Sequence, residues 1–524
     1  MSTRFPGRRF SWFRLTLLVL LVALTGTGLS LGLGWWRDTA QAEVEGSPWF
    51  GGYVDVTATP SYPFETVTGP GTQNIVLSFV VAAADGSCQP TWGSAYSLEQ
   101  ASVELDLDRR IARARDQGRN VVVSFGGLLN DELALRCGTE AELTAAYRTV
   151  VDRYRLAAID LDLEGAGLTD ARASQRRANA VAALQQAYRA SGRSLAVWLT
   201  LPVITTGLTE DGTDTVARFL AAGVDLAGVN VMTMNFGDSR AKEQSMAAAS
   251  IAALSSTHRQ LGILTADAGT RLGAQSLWRR LGATPMLGQN DQRGEVFTLD
   301  DAAALNAFAR ANGLGRLSVW SLNRDQACSV NYPDLTRVND SCSGVAQGEQ
   351  RFAAVLGDDL TGSPLQAAPS AGPEDPSGMP TAVVDDPETS PYPVWKPLSS
   401  YPAGTKVVWH GNVYEAKWWT RGDTPDDPVL QESQTPWRLI GPVLPGETPV
   451  PVPTLPAGYF PTWREDVAYE AGKRVMHQGI AFEARWWNTA TSPESSLVDP
   501  GGSPWAALSQ EEIRELLEKL DAKR

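Results

Sequence analysis

The alternation of two kinds of segment constrains the fold of this chain more than any other feature. Runs of apolar and β-branched residues, typical of buried strands, are separated by amphipathic stretches at 98–117, 139–154, 170–191 and 241–262. The runs are residues 49–56, 74–82, 120–127, 157–165, 194–202, 228–235, 283–288 and 316–322. Alternating strands and helices predict a parallel sheet, and eight units in roughly 300 residues fit a (β/α)8 TIM barrel. A doubly wound open sheet is the alternative, although the chain has no GxGxxG or P-loop motif.

One predicted strand, "AAIDLDLEG" at 157–165, carries three acidic residues at every second position: Asp160, Asp162 and Glu164. Alternate residues of a strand share one face, and a parallel barrel strand has no face in water. The acids should therefore point into the barrel, with Glu164 at the C-terminal rim where such barrels place their chemistry. Like charges in a low dielectric raise at least one pKa, which is what a general acid near neutral pH requires.

This strand resembles the DxxDxDxE signature of glycoside hydrolase family 18. Glu164, Asp162 and Asp160 match its last three acids, and Ala157 replaces the first. Further segments resemble the same family, in particular a bacterial branch of it. They are "CQPTWG" at 88–93, "SFGG" at 124–127, "TPMLGQND" at 284–291 and "VWSLNRD" at 319–325. Together they cover most of residues 48–347, and the resemblance implies a barrel that hydrolyses chitin.

The resemblance also implies roles for individual residues. Glu164 would protonate the glycosidic oxygen, and the substrate's own acetamide carbonyl would attack the anomeric carbon, as in retaining enzymes without a protein nucleophile. Asp162 would turn from Asp160 to the acetamide N–H, and Asn235 would steady the same group. The substrate-binding residues implied within the barrel are Trp320, Met232 and Gln289.

The sixth strand departs from the family pattern. It reads "MTMNF" at 232–236, with Asn235 and Phe236 where the bacterial branch tends to have Asp and Tyr. Loss of the phenol removes a hydrogen-bond donor to the substrate, worth on the order of 3 kcal/mol. Two alternatives to a chitinase therefore remain: a weakened or inactive chitin-binding protein, and an endo-β-N-acetylglucosaminidase that acts on glycoprotein glycans.

Residues 392–441 and 459–508 are copies of each other, related by a constant offset of 68 positions. An ungapped register of this length is a strong repeat signal, and the composition predicts two small, mostly antiparallel all-β modules. Each contains a Trp pair, in "YEAKWWT" at 414–420 and "FEARWWN" at 482–488. If these segments are strands, one Trp of each pair is buried and the other is exposed, and an exposed indole suits the apolar face of a sugar ring.

The copies resemble chitin-binding type 3 modules of carbohydrate-binding family 5/12. The resemblance implies binding to chitin or another polysaccharide that contains N-acetylglucosamine. The residues that match the pattern, and that we predict to bind it, are Trp395, Tyr414, Trp418, Trp419, Trp437, Trp463, Phe482, Trp486, Trp487 and Trp505. Two modules on one chain would add avidity on an insoluble surface.

Segments rich in Pro, Ser, Thr and acidic residues separate these parts. We predict a barrel domain at 48–350, a disordered linker at 351–391 and a second linker at 442–458. The tail at 509–524 begins with the capping box Ser509 and Glu512 and continues with an apolar stripe. It predicts a helix that packs on its own domain, with docking of a partner as the alternative.

The N-terminus predicts export. Arginines precede an uncharged apolar stretch at 15–36, and "TAQA" ends at Ala42, so residues 1–42 are either a cleaved signal peptide or an uncleaved signal anchor. The protein is then extracellular, or bound to the outer face of a membrane through residues 15–36. Four cysteines fit an oxidising compartment and allow three pairings. The short loop favours Cys328–Cys342, which leaves Cys88–Cys137.

Composition excludes some function classes. The formal net charge of −14 argues against a general nucleic-acid binder. Only three histidines and no CxxC pair are present, so we expect neither a metal site nor another cofactor. Nothing in the sequence indicates an obligate oligomer, and we expect a monomer.

Overall fold

The computed structural model describes residues 12, 13, 15, 46–332, 334–364, 385–427, 433–449, 454–498 and 501–521. The chain divides into two compact units, Met1–Pro373 and Glu374–Arg524. Apart from residues 12, 13 and 15, the predicted export segment at 1–42 lies outside the described residues. Among the residues that are described, no helix is both long and apolar enough to cross a membrane.

Eight parallel strands close into a barrel in the first unit. They are Trp49–Asp55, Asn74–Ala82, Asn120–Gly126, Ala158–Asp162, Ala196–Ile204, Leu226–Met232, Leu281–Thr284 and Arg316–Val319. The order around the barrel follows the chain, and the first strand pairs with both the second and the eighth. The predicted TIM barrel is confirmed, and the open sheet is excluded because the closed barrel leaves no free edge among these eight strands.

Helices cover the outside of the barrel. They are Leu98–Glu104, Leu107–Asp116, Leu133–Arg136, Glu140–Arg153, Gly165–Thr169, Ala171–Ala190, Glu210–Ala221, Met246–Asp267, Ala274–Arg279 and Leu299–Asn312. Capping boxes begin two of the main ones: Thr139 with Glu142, and Thr298 with Asp301. These caps satisfy backbone N–H groups that a helix start would otherwise leave without partners.

Short elements decorate the loops at the barrel ends. They are the strands Pro90–Trp92, Tyr96–Ser97, Gly207–Leu208, Gly288–Gln289 and Val296–Phe297, and the 3-10 turns Gly237–Ser239 and Leu322–Arg324. Gly288–Gln289 pairs with Val296–Phe297 in a separate two-stranded sheet. The seventh barrel strand itself ends at Thr284, so most of the predicted run at 283–288 lies beyond it.

The fourth strand shows why the sequence alternates as it does. Ile159, Leu161 and Leu163 belong to the main apolar core, which the strands share with the surrounding helices. Asp160 and Asp162 occupy the opposite face and are buried inside the barrel. The predicted orientation of the acidic face is therefore confirmed.

The barrel domain extends past its predicted end at residue 350. The helix Phe352–Leu356 inserts Phe352 and Leu356 into the main core, where both are fully buried. Thr361 then forms a bridge with Trp49 at the start of the first strand. The predicted linker at 351–391 thus begins too early, because burial of this apolar helix holds residues 352–361 on the barrel. Residues 365–384 of that linker lie outside the described residues.

Two disulfides join loops of the barrel domain. Cys88 is bonded to Cys137, and Cys328 is bonded to Cys342. Of the three pairings that four cysteines allow, this is the predicted one. Cys137 ends the helix Leu133–Arg136, so the first disulfide ties the segment after the second barrel strand to the segment after the third.

The second unit contains two all-β modules of the same design, which confirms the prediction. The strands of the first are Ser400–Tyr401, Lys406–Trp409, Asn412–Ala416, Thr420–Arg421 and Trp437–Pro442. Those of the second are Ala468–Tyr469, Arg474–His477, Ile480–Ala484, Asn488–Thr489 and Trp505–Ala507, with a short helix Ser495–Val498. Each module has a three-stranded and a two-stranded antiparallel sheet.

The tail forms the helix Gln510–Asp521, begun by the predicted hydrogen bonds between Ser509 and Glu512. On the helix, Ile513, Leu516 and Leu517 pack against a buried cluster formed by Leu455, Ala481 and Leu508. The structure therefore favours the packing helix over the partner-docking alternative, since much of the apolar stripe already has a covering surface.

Candidate active site

Asp160 lies at the centre of the barrel and is fully buried. Its Oδ1 accepts hydrogen bonds from Arg316 Nη1 at 2.6 Å and Thr200 Oγ1 at 2.7 Å. Its Oδ2 accepts from Tyr53 OH at 2.8 Å and Ser124 Oγ at 2.7 Å. Four donors use the full accepting capacity of a carboxylate, so residues of four other strands fix the position of the Asp160 side chain.

Asp162 follows on the same inward face and lies in a very different environment. In the described part of the chain, its buried Oδ1 has no hydrogen-bond partner. Burial raises the pKa of Asp162 well above its ordinary value, and the charges of Glu164 and Asp160 raise it further, while Arg316 lowers it. An unpartnered buried oxygen is costly, so Asp162 is ready to bind a donor from outside the protein.

Glu164 lies just beyond the end of the fourth strand and is half-buried. Burial, aided by the charge of Asp291, raises the pKa of its carboxyl to about 7. Its side chain makes no capping bond to the short helix Gly165–Thr169 that follows. A partly exposed carboxyl that keeps its proton near neutral pH is suited to donate that proton to a bound ligand.

Aromatic rings line the barrel mouth beside these acids. Trp320 follows the eighth strand and lies parallel to Phe79, with ring centroids 5.3 Å apart. Tyr53 meets Trp320 edge-on at 6.1 Å, and its hydroxyl reaches Asp160. Trp320 is only partly buried, so it can contact a ligand that sits over the acids.

The side chain of Asn235 is bound to a neighbouring loop. Its amide nitrogen donates to the carboxylate of Asp291 at 2.8 Å, and its carbonyl accepts from the backbone N–H of Asp291 and Gln292. Both ends of the side chain are occupied by the loop that follows the seventh strand. Asn235 therefore holds Asp291, and the charge of Asp291 in turn helps to raise the pKa of Glu164. The predicted contact of Asn235 with the substrate acetamide stays a prediction.

Of the other predicted substrate-binding residues, Met232 lies at the end of the barrel where the acids are, whereas Gln289 is held by a loop. Met232 is the last residue of the sixth strand and is buried at the C-terminal end of the barrel. Gln289 bonds through its backbone to Ser343 and Arg324, and its side chain lies against Gly344. These contacts tie Gln289 to a neighbouring loop, and none of them connects it to the acids.

The modules separate the predicted sugar-binding aromatics into two groups. Packing in the module cores buries five of them, which corrects their prediction as ligand-binding residues: Trp395, Tyr414, Trp437, Phe482 and Trp505. Trp463 is half-buried against the core of the second module. The exposed ones are Trp418 (47%), Trp486 (46%) and Trp487 (62%), while Trp419 is half-buried.

The predicted alternation within each Trp pair does not apply. The strands Asn412–Ala416 and Ile480–Ala484 end before the pairs, which lie on the bends that follow. On a bend, neighbouring side chains need not point to opposite faces. Trp486 and Trp487 are consequently both exposed, whereas the first module presents Trp418 with Lys417 over its ring.

Sequence reasoning missed Arg316, Tyr53 and Asp291 as site residues. Arg316 carried a usable signal: it starts a buried strand on the same face as Trp320, so an inward cation had to meet an inward acid. Asp291 lies in a loop and carried no comparable signal. Among the described residues, no group of three or more His, Cys, Asp or Glu side chains is arranged to hold a metal ion.

Comparisons with known proteins identify the parts of the chain. Residues 394–438 and 462–506 each match the family model of carbohydrate-binding module family 5/12. The repeats belong to carbohydrate-binding module family 5/12. The first match contains the exposed Trp418, and the second contains the exposed Trp486 and Trp487. Each module therefore presents aromatic surface that can pack against a sugar ring.

The barrel domain is similar in sequence to proteins named as chitinases. The chain is 34% identical over 265 residues to "Probable bifunctional chitinase/lysozyme" of Escherichia coli (strain K12), covering 49% of this chain and 28% of that protein. It is 33% identical over 259 residues to "Endochitinase 11" of Metarhizium anisopliae, covering 48% of this chain and 47% of that protein. The chain thus spans less than half the length of either relative.

A solved structure has the same fold. The catalytic domain of a hyperthermophilic chitinase from Pyrococcus furiosus aligns with a TM-score of 0.51 at 24% identity. The alignment covers 60% of this chain and 94% of that domain. At this identity the likeness concerns the fold, and it agrees with the closed barrel described above.

Proposed function

We propose that this protein is a chitinase, which hydrolyses the β-1,4 linkages between N-acetylglucosamine units with retention of configuration. The observation that carries the proposal is the pair formed by Glu164 and Asp162 at the barrel mouth. One carboxyl has a pKa raised to about 7, and the other has a buried oxygen without a partner among the described residues. Relationship to proteins named as chitinases supports the choice of substrate.

In the first half of the proposed reaction, Glu164 donates its proton to the glycosidic oxygen as the bond from that oxygen to the anomeric carbon breaks. The carbonyl oxygen of the sugar's own acetamide bonds to the anomeric carbon, giving an oxazolinium ion. Asp162, as a carboxylate, accepts the acetamide N–H, which orients the carbonyl and balances the developing positive charge. Trp320 supports the sugar ring from below.

In the second half, Glu164 is ionised and removes a proton from a water molecule that attacks the anomeric carbon. The bond to the acetamide oxygen breaks, and the original configuration returns because the carbon has been inverted twice. The active form thus has one proton on Glu164 and none on Asp162. Since the acetamide is a reactant, chitin fits this site and cellulose, which lacks that group, does not.

Release of soluble oligosaccharides from colloidal chitin tests the proposal directly. The full chain is expected to release them near neutral pH and to release nothing from cellulose handled in the same way. Proton NMR of the earliest products should show the β anomer before mutarotation. A chain that binds chitin without releasing product between pH 4 and 9 is instead a binding protein on an inactive barrel, and α-anomeric first products contradict retention.

The two modules are proposed to tether the barrel to insoluble chitin. Replacing Trp418, Trp486 and Trp487 together with Ala is expected to lower affinity for insoluble chitin by at least 10-fold, since each stacked ring contributes on the order of 1 kcal/mol. Hydrolysis of soluble chitooligosaccharides should stay unchanged. The measurement is a depletion isotherm, with Ile263→Ala as control because Ile263 is an exposed apolar residue of the barrel. Unchanged binding by the triple variant contradicts tethering through these rings.

We also propose that the protein acts outside the cytoplasm, as a monomer on its polysaccharide. Two disulfides support an oxidising compartment, and an insoluble polymer is accessible only to an exported enzyme. N-terminal sequencing of protein recovered from the medium and from membranes would distinguish cleavage after Ala42 from retention of residues 15–36 as an anchor.

A further inference from the structure

A buried ion pair lies among the helices that follow the third and fourth barrel strands. Arg177 is on the helix Ala171–Ala190, and Glu132 comes just before the helix Leu133–Arg136. The Nη2 of Arg177 lies 2.6 Å from the Oε2 of Glu132, and both side chains are buried. Because neither side chain reaches the surface, any part that the pair plays in a reaction is indirect.

The loop that ends at Glu132 is bonded to the backbone of Asp162. The N–H of Gly127 donates to the carbonyl oxygen of Asp162 at 2.9 Å. Gly126 has a φ of +104°, and a Cβ there would lie 2.1 Å from the same oxygen and 3.4 Å from the Cγ of Glu132. The loop backbone is therefore packed against both Asp162 and the side chain of Glu132.

Arg177 is bonded to the segment that follows Glu164. Its Nη2 also donates to the carbonyl oxygen of Gly167 at 2.9 Å, within the short helix Gly165–Thr169. This helix starts from Glu164, whose carbonyl oxygen accepts from the N–H of Leu168 at 3.2 Å. The Glu164 side chain makes no capping bond, so the carboxyl is placed by the backbone from which it extends.

Further contacts fix Glu132 to the core of the barrel domain. Its Oε1 accepts from Tyr147 OH at 2.6 Å, and its Oε2 accepts from the backbone N–H of Ala134 at 2.7 Å. The Tyr147 ring in turn packs edge-on against Phe125 of the third strand, with ring centroids 5.1 Å apart. Through Glu132, Arg177 and the helix that it holds are therefore attached to the barrel wall.

Stability alone is a poor explanation for this ion pair. Among the described residues, no group accepts a hydrogen bond from the buried Nε and Nη1 of Arg177. A buried donor without a partner is costly, and apolar residues can often replace a buried ion pair without loss of stability. What the pair does provide is a link between the two segments that adjoin the proposed acids.

We propose that Glu132 and Arg177 are positioning residues for the reaction. Their ion pair joins the short helix that follows Glu164 to the loop bonded to Asp162, and so fixes the two acids relative to each other. This role rests on the chitinase function proposed above. A displacement of about 1 Å can cost about 100-fold in rate, so a pair that does not touch the substrate can still control kcat.

The double variant Glu132→Gln with Arg177→Met tests this role, because it removes both charges together and leaves neither unpaired. Its kcat on soluble chitooligosaccharides is expected to fall by about 10- to 100-fold, while KM changes little because the pair does not contact the substrate. The loss of kcat should be smaller on an aryl chitooligosaccharide with a good leaving group, since departure of the aryl group needs little proton assistance from Glu164.

Hydrogen exchange provides a readout that needs no turnover. The N–H groups of Leu168 and Asp170 are bonded to the carbonyl oxygens of Glu164 and Ala166. In the double variant, mass spectrometry of peptides that cover residues 163–170 is expected to show faster exchange of these amides. If wild type hydrolyses no chitin, the proposed function fails, and the exchange comparison still decides whether the ion pair holds the short helix.

Two further variants complete the test. Glu65→Gln with Arg110→Met removes another largely buried ion pair of the barrel domain, whose nitrogen and oxygen are 2.9 Å apart, and should lower Tm without changing kcat or exchange at 163–170. If the first double variant does not fold, Arg177→Lys takes its place; it keeps a cation beside Glu132 but lacks the planar fork of Arg, and should show the same changes at smaller size. Wild-type kcat or wild-type exchange at 163–170 in the folded variant overturns the proposal, as do equal changes in the control pair.

Discussion

Glu164→Gln is expected to lower kcat on chitooligosaccharides by at least about 100-fold, the effect typical of losing a general acid. Gln has nearly the same shape but carries no proton that it can transfer to the glycosidic oxygen. In wild type, the alkaline limb should fall as Glu164 loses its proton, with a midpoint near its pKa of about 7. In the variant, the residual rate should no longer fall with rising pH around this midpoint.

The matched control for this variant is Glu210→Gln. Glu210 is an exposed glutamate in the first turn of the helix Glu210–Ala221, so the same chemical change there should leave kcat unaltered.

An aryl chitooligosaccharide with a good leaving group provides a second test, because departure of the aryl group needs little proton assistance. Glu164→Gln should lose much less activity on that substrate in the first step. An equal loss on both substrates, or a kcat near that of wild type, contradicts the assignment of Glu164 as the acid.

Asp162→Ala is expected to lower kcat/KM by about 100- to 1000-fold, the cost of removing one preorganised group that stabilises a developing charge. The variant removes the only group proposed to accept the acetamide N–H and to balance the oxazolinium ion. The acetamide must be oriented and the oxazolinium charge balanced whatever the leaving group is. The loss should therefore be as large on the aryl substrate as on the natural one. That pattern distinguishes Asp162 from Glu164.

Asp301→Asn provides the control for Asp162. Asp301 is also a buried aspartate of the barrel domain, but it caps the helix Leu299–Asn312 and accepts from the backbone N–H of Ala247. Its replacement should lower Tm while leaving kcat/KM of the folded fraction close to that of wild type. If Asp162→Ala retains activity within about 10-fold of wild type, well below the range for such a group, the substrate-assisted role of Asp162 is wrong.

Much of the architecture was predictable because it depends on local periodicity. Eight apolar runs separated by amphipathic stretches predicted the strands of the barrel, and the constant offset of 68 predicted two equal modules. Period two in "AAIDLDLEG" predicted which way Asp160 and Asp162 point, since a buried parallel strand leaves only the interior for polar side chains. The boundary at 350 failed because the helix Phe352–Leu356 has only five residues, too few to show a helical period, and only the barrel core shows where its apolar residues pack.

Roles that depend on a partner distant in sequence were harder to predict. Asn235 fits a substrate-binding motif by position, yet its side chain is held by residues 291 and 292, more than fifty positions away. The Trp pairs fit a strand pattern, yet the strands end before them and the bend decides that Trp486 and Trp487 are both exposed.

By itself, therefore, the sequence determined the barrel, the two modules and the face on which the acids lie, because each follows from spacing along one segment. Only the tertiary structure decided how those acids differ. Asp160 receives four donors from four other strands, whereas the Oδ1 of Asp162, two residues away, receives none from the described residues. The donors around Asp160 come from strands far apart in sequence, and closure of the barrel brings them together.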